Sequence, residues 1–414
     1  MIPYFQSLGE RIERRWLEHS YNEEIFPQLA QDVLEQVPPA GHVTVSDIVE
    51  WTFGGAQAFR QPHQAHLFGE PPVMLFQASR FYIEALFWLS GTTSIHEHSF
   101  SGAFAVLAGS SVHSHWHFVP ERTINSRMAC GHLERVSTEI LREGGLRPIH
   151  AGDRLIHQLF HLELPSVTIV IRTYGERHHR PQYSYLPPGL AIDPEDSDEL
   201  RIRRLLLLDG MVHGKIDGLR KYACRLIEDG DLETLFYTFS RLTRRKVDKK
   251  MLEELYGIAR ERCGDIVDLF RNVCEWERRT RIVIALRAKV HDPGARFLLA
   301  LLMLMPDREA IFEMVQLQVP DSEPLAIIET WLKAISGKET IGFDFNDANR
   351  LIFRSLVEGL GLEGLLQRIR AEFRGDSVDS HLDRLLEQTN YLARSDLFYS
   401  LFSMSPLRDQ ARAA

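Results

Sequence analysis

The rhythm of apolar and polar positions changes twice along the 414-residue chain. Over residues 5–36 apolar side chains recur every three or four positions, the spacing of an amphipathic helix. From about Val73 the rhythm shortens. RFYIEALFWL (80–89) is rich in aromatic and β-branched residues and predicts a strand. SIHEH, AFAVLAG, SVHSHWHF, HLERVSTEIL, DRLIHQLFHL and SVTIVIRTYG follow it, broken by Gly, Pro, Ser or Asp. Many short strands between turn residues predict a sandwich or a small barrel. PQYSYLPPGLAIDPEDSDE (181–199) is proline-rich and then acidic; its start is read as covering the barrel and its end as a boundary. From about Leu200 the helical rhythm returns, in segments of roughly 10 to 20 residues without a strict repeat, which predicts an irregular bundle. The expected fold is α+β. A helical N-terminal segment leads in over 1–69, a β-barrel occupies 70–190, and an all-α domain fills 191–414.

Composition narrows the function. The chain is 44% hydrophobic and carries a formal net charge of −9. An acidic balance argues against a nucleic-acid partner, which calls for a basic footprint. Local basic runs such as RLTRRK (241–246) lie among acidic residues and read as solvated helix faces. Cys130, Cys224, Cys263 and Cys274 are dispersed, with no CxxC pair, which fits a reducing cytoplasm better than a disulfide framework. The N-terminal stretch has no long apolar core and does not read as a signal peptide. The most apolar window, ARFLLALLMLM (295–305), is too short to span a bilayer, so no membrane association is expected.

The chemistry concentrates in histidines. His96 and His98 are separated by one residue on a predicted strand, so their side chains share a face with Glu97 opposite. Two imidazoles on one rigid element suit a divalent transition metal; the alternative is a pair of ordinary polar residues on a solvated face. His113, His115 and His117 alternate in the same way; a second metal face is the alternative, and they are read as an exposed or substrate-adjacent strand. His178 and His179, in ERHHRP, are read as a loop near the barrel mouth that contacts substrate. Several other chemistries fall away. HEHSF is not HExxH, HLE at 161–163 is followed by no PCxxC, and there is no phosphate loop, dinucleotide fingerprint or GxSxG elbow.

SIHEHSFSGAFAVLAG (94–109) resembles the first motif of the cupin superfamily: an HxH pair, a short gap, a glutamate, six residues and a glycine. Gly102 stands where that motif has glutamate, and Gly109 closes it. Loss of the carboxylate resembles the three-histidine thiol dioxygenases, which are similar to cysteine dioxygenase and place either cysteine or glycine there. The resemblance covers roughly residues 70–190 and implies a jelly-roll-like barrel holding Fe(II), with Mn, Ni or Zn as alternatives. It implies His157 as the third ligand, with His161 as its rival, and Tyr174 as the catalytic tyrosine seventeen residues on. Where those enzymes carry a Ser-x-His-x-Tyr relay, this chain has Val170, Arg172 and Tyr174. Arg172 is expected on the inner face, where a buried guanidinium needs an anionic partner: a substrate carboxylate, Glu84 or Glu163. Arg80 and Tyr82 fall near the position of a carboxylate-binding arginine and join Arg172 as expected substrate contacts.

The implied activity is an Fe(II)-dependent dioxygenase taking dioxygen and a small carboxylated metabolite, with a thiol as a further group it could carry. Two other classes stay open: a non-oxidative metal enzyme such as an isomerase or decarboxylase, and a ligand-binding scaffold. The helical region has no counterpart in the resemblance. It is expected to cap the barrel, build a homodimer or recruit a protein partner.

Overall fold

The computed structural model describes residues 2–54, 69–89, 92–175, 181–195, 198–372 and 382–413. It divides into two compact units, Met1–Arg278 and Arg279–Ala414. His178 and His179 lie outside the described residues.

The predicted helix over 5–36 is two helices, α1 (Pro3–Glu18) and α2 (Phe26–Gln36). Ser20 and Tyr21 adopt positive φ of 54° and 56°, which ends the first helix. Pro27 sits in the opening turn of α2, the one place where its missing N–H costs nothing. A third helix, α3 (Val45–Phe53), is set by a capping box between Thr44 and Asp47.

The strands are β1 (Pro72–Gln77), β2 (Phe81–Trp88), β3 (Ile95–His98), β4 (Gly102–Ala108), β5 (Ser111–Asn125) and β6 (Met128–Leu141). They continue with β7 (Leu146–Ile149), β8 (Gly152–His161), β9 (Ser166–Thr173), β10 (Ser184–Leu186) and β11 (Leu190–Ile192). All pairings among them are antiparallel. A five-stranded sheet has the order β1-β2-β9-β4-β7, and β10-β11-β6-β5-β8-β3 forms a closed six-stranded barrel. The proline-rich segment therefore supplies the closing strands. Tyr185 of β10 pairs with Ile95 of β3, and Leu190 of β11 pairs with Cys130 of β6.

Alternation gives the five-stranded sheet two different faces. Phe81, Ile83 and Ala85 of β2, with Ala103, Ala105, Ile169 and Ile171, form one core with Phe5, Ile12 and Trp16 of α1 and Phe26 and Val33 of α2. Each large side chain buried there contributes roughly 1.5–3 kcal/mol. Leu86, Phe104 and Val170 point the other way, toward the interior cavity.

Helices α4 (Glu199–Gly214), α5 (Leu219–Asp229), α6 (Leu232–Arg244) and α7 (Lys249–Cys263) follow, and the first unit ends within α8 (Ile266–Arg287). The acidic run that closes the linker has a structural use: the Asp198 carboxylate caps α4 by accepting from the Arg201 N–H. Such a cap contributes about 1 kcal/mol. Met128, Leu190 and Ile192 of the barrel share a core with Ala223, Ile227, Phe236 and Phe239 of α5 and α6. Beside that core, buried Glu233 accepts from Asn125 Nδ2 at 3.0 Å and pairs with Arg201 at 2.7 Å.

The second unit is built from α9 (Pro293–Leu304), α10 (Arg308–Gln318), α11 (Pro324–Ala334), α12 (Asp347–Val357), α13 (Leu362–Glu372), α14 (Leu382–Ala393) and α15 (Pro406–Ala413). The architecture is thus α+β, a closed antiparallel barrel followed by a largely helical region. Among the described residues no helix is long and apolar enough to cross a membrane.

Candidate metal centre

Strand β3 carries the first two candidate ligands. Its other face is not solvated: Ile95 is buried in a cluster with Tyr185 of the neighbouring β10, and Glu97 is buried as well. Glu97 accepts from the Tyr185 hydroxyl at 2.6 Å and from the Tyr183 N–H at 3.2 Å. Burial raises the Glu97 carboxyl above its usual range, partly opposed by those two hydrogen bonds. Both faces of this short strand are therefore fixed, and His96 and His98 have one direction left, into the space between the two sheets.

There they meet His157 of β8. The strand pairing puts His96 directly opposite His157. His96, His98 and His157 are buried, and each offers one ring nitrogen within 4.8 Å of the others. His98 Nε2 lies 2.8 Å from His157 Nε2. Two ligands at right angles on a metal with bonds of about 2.1 Å stand roughly 3 Å apart, so this spacing suits a shared cation. His96 Nδ1 donates to the Ser94 carbonyl at 2.8 Å. A carbonyl only accepts, so the proton of neutral His96 is on Nδ1 and its Nε2 carries the lone pair a metal needs.

Electrostatics keep these rings neutral. Burial pushes His96 down to about 4, the backbone hydrogen bond only partly opposing it. Burial also holds His98 and His157 well below the ordinary histidine range, and the neighbouring imidazoles add to the effect. Three neutral, buried nitrogen donors fit a divalent transition ion. The centre is a cluster able to coordinate a metal.

Gly102 explains the missing carboxylate. It pairs with Arg172 on β9, and a β-carbon at Gly102 would lie 1.9 Å from the Ile171 carbonyl oxygen. With β4 and β9 this close, no side chain fits at the position where a glutamate ligand would begin. Gly109, at φ +83°, makes the turn that returns the chain toward β5.

The cluster opens on a cavity of about 70 Å³ between the two sheets. Its walls are mainly apolar, with Leu86, Phe100, Phe104 and Val170 prominent. Arg172 lines one side, its guanidinium 3.6 Å over the Phe100 ring and its Nη1 donating to Glu84 at 3.2 Å. Glu84 is only 3% exposed, so of the anionic partners foreseen for Arg172 this carboxylate is the one in contact. Glu163 instead accepts from Ser110. His161 lines another wall, stacked on Trp88 at 4.7 Å with its Nδ1 3.1 Å from Ser166 Oγ. The three-histidine cluster takes in His157 and not His161.

The remaining expected residues stand elsewhere. Tyr174 follows β9 and is 39% exposed; its hydroxyl donates to the Ala78 carbonyl and accepts from Gln77. Tyr82 is half-buried, its ring against Tyr174 and 5.4 Å from the Arg172 guanidinium. Arg80 is exposed and packs over Tyr21 beyond α1. None of these three is part of the cavity wall, whereas Arg172 is.

One group departs from expectation. His113 is not exposed but fully buried, its Nε2 2.9 Å from His157 Nδ1 and its Nδ1 3.0 Å from Glu139 Oε1. His115 is half-buried near the same carboxylate, and His117 is exposed. Strand β5 lies between β6 and β8, which sets His113 opposite Glu139 and His115 opposite His157. The alternation in SVHSHWHF carries the shared face but not the neighbouring strands.

A closed antiparallel barrel whose buried three-histidine cluster faces a second sheet is a cupin-like arrangement. No family model matches the chain, and no curated protein does. Among solved structures, hydroquinone 1,2-dioxygenase from Sphingomonas sp. TTNP3 with 4-hydroxybenzoate bound is 14% identical, over 27% of this chain and 70% of that one, at a TM-score of 0.20. The TT1209 protein from Thermus thermophilus is 15% identical, over 28% and 97%, at a TM-score of 0.18. A recombinant oxalate oxidase in complex with glycolate is 11% identical, over 48% and 77%, at a TM-score of 0.21. Scores this low carry no functional weight, and the reading of the site rests on its own geometry.

Proposed function

We propose that the chain is a non-haem Fe(II)-dependent dioxygenase acting on a small carboxylated metabolite, one that can also carry a thiol. The observation that carries the reading is the convergence of three neutral histidines, with no carboxylate among them, on the wall of a small apolar cavity. His96, His98 and His157 would hold the ion, and bound iron supplies the one-electron chemistry that reaction with dioxygen requires. Neutral ligands leave the ion's charge unspent, which favours an anionic donor atom on the substrate.

The protein's own contributions follow from the walls. Leu86, Phe100 and Phe104 exclude water and select a compact, largely apolar body. Arg172 orients the substrate's polar end. Its charge is already balanced by Glu84, so it acts as a positioned hydrogen-bond donor more than as a free cation. His161, anchored by Trp88 and Ser166, faces the same space and serves as the proton-handling group. Tyr174, with its hydroxyl engaged at Ala78 and Gln77, is not assigned that task.

The test is oxygen consumption. Protein loaded anaerobically with Fe(II) is mixed with air-saturated buffer and a panel of small thiols and carboxylates, with His98→Ala in parallel. Uptake that depends on substrate and is lost in the variant supports the dioxygenase. Tight stoichiometric metal without uptake turns the reading to a non-oxidative isomerase or decarboxylase. Absence of metal binding turns it to a ligand-binding scaffold.

A further inference from the structure

Among the described residues, two groups of side chains in the barrel have the composition of a metal site: the three histidines already described, and His113, His115 and Glu139. A hydrogen bond joins them, between His157 Nδ1 and His113 Nε2 at 2.9 Å. We propose that His113, backed by Glu139 and Arg147, is a positioning residue that fixes the tautomer of ligand His157, and that the second group is for this reason not a metal site. The inference rests on the reading of His96, His98 and His157 as ligands.

The protons can be placed one by one, starting from the far end. Arg147 donates to both oxygens of Glu139, Nε to Oε1 at 2.9 Å and Nη2 to Oε2. The carboxylate can only accept, so at the 3.0 Å contact the donor is His113 Nδ1–H. A neutral imidazole has one N–H, so His113 Nε2 is an acceptor. The proton in the 2.9 Å contact then belongs to His157 Nδ1. This leaves the lone pair of His157 on Nε2, the atom that faces His98 at 2.8 Å. The sheet enforces the alignment: Glu139 is the cross-strand partner of His113 on β6, while His157 lies on β8 two residues along from His113's partner Leu159, on the same face.

The same proton decides against a second ion. A cation between His113, His115 and Glu139 would take the lone pair of His113 Nδ1 and send that ring's proton to Nε2. His157 Nδ1 would then have to accept, and the His157 proton would move to Nε2, among the other two ligands. The two groups therefore compete for one tautomeric state. The guanidinium of Arg147 on the Glu139 carboxylate weighs further against a cation there.

The experiment uses the full chain and Co(II) as probe, with stoichiometry from elemental analysis and affinity from chelator competition. Wild type should bind one Co(II). His113→Phe should weaken binding by roughly 10- to 100-fold and alter the Co(II) visible spectrum. His113→Gln, whose amide can accept from His157 and donate to Glu139, should recover most of the loss. A structural role alone would not separate Phe from Gln in this way. A variant-free measurement stands beside these: nitrogen-15 NMR of the imidazoles in metal-free wild type should report His157 as the Nδ1–H form. Two tightly bound Co(II) per chain, unchanged affinity in His113→Phe, or an Nε2–H His157 would each overturn the proposal. No Co(II) binding by wild type together with an Nδ1–H His157 would instead defeat the metal reading and leave the tautomer assignment standing.

Discussion

Gly102 and Ile171 lie so close across β4 and β9 that a β-carbon on the glycine would stand 1.9 Å from the Ile171 carbonyl oxygen. The obstacle is backbone, which has no rotamer with which to move aside. The absent carboxylate is thus a property of how the two strands pack, and restoring it by substitution should fail. Gly102→Glu is expected to cost about 3 kcal/mol or more of stability through overpacking and to add no ligand. Urea unfolding with a Co(II) spectrum checks both parts. A stable variant with a four-ligand spectrum would show that the strands can separate.

The site is partly legible in the sequence because its strongest signals are local. One residue between His96 and His98, and the spacing from there through Gly102 to Gly109, are facts of a single segment. His157 enters the ligand candidates only through its distance along the chain from Tyr174, with His161 as rival. What escapes depends on register between strands far apart in sequence. Nothing in SVHSHWHF says that β6 and β8 flank it, so the burial of His113 cannot be read there. The same holds for β1, β7, β10 and β11, which are too short or proline-rich to signal themselves and are held by their neighbours. The Arg80 and Tyr82 expectations come from another family's chain path, which this chain does not follow closely enough to bring either side chain to the cavity wall.

Neutral histidines buried in the barrel make the metal-free protein sensitive to acid. In the unfolded chain each takes a proton near pH 6.5. In the folded state burial holds His96 neutral down to about 4 and keeps His98 and His157 well below the ordinary histidine range. Below 6.5 the unfolded state therefore binds more protons, and stability falls as pH falls, by about 1.4 kcal/mol per unit for each histidine that stays neutral. Above about pH 7.5 these groups contribute no slope. Denaturant titrations of metal-free protein at pH 5 and pH 7 should show the loss, and it should be smaller in His98→Phe. Equal stability at the two pH values in wild type would contradict the neutral assignment.

Arg172 and Glu84 form a pair in which the acid is almost fully buried and the base is about one-fifth exposed. Removing the guanidinium withdraws the charge that balances a buried carboxylate. Arg172→Leu is expected to destabilise the fold by about 3 kcal/mol, the lower end of the range for broken buried pairs. Glu84→Gln together with Arg172→Leu should cost less than the sum of the single changes, by roughly 1–3 kcal/mol. A double-mutant cycle in urea measures this coupling. Strict additivity would mean that the two side chains touch without depending on each other.

His157 and His161 sit four residues apart on β8 but face different tasks, and substitution should separate them. His157 contributes a ligand atom to the three-histidine cluster, whereas His161 stacks on Trp88 and engages Ser166. Truncating His157 to alanine should abolish stoichiometric Co(II) binding, because two histidines in a buried apolar wall do not hold a divalent ion against water. His161→Phe keeps a ring against Trp88 and should leave Co(II) affinity within a few-fold of wild type. If His161 handles the substrate's proton, turnover on any substrate found should nevertheless fall by about 10²- to 10⁴-fold. The reverse pattern, with metal lost in His161→Phe and retained in His157→Ala, would make His161 the third ligand. That outcome would also detach His113 and Glu139 from the centre, since their hydrogen-bonded path reaches the ligands through His157.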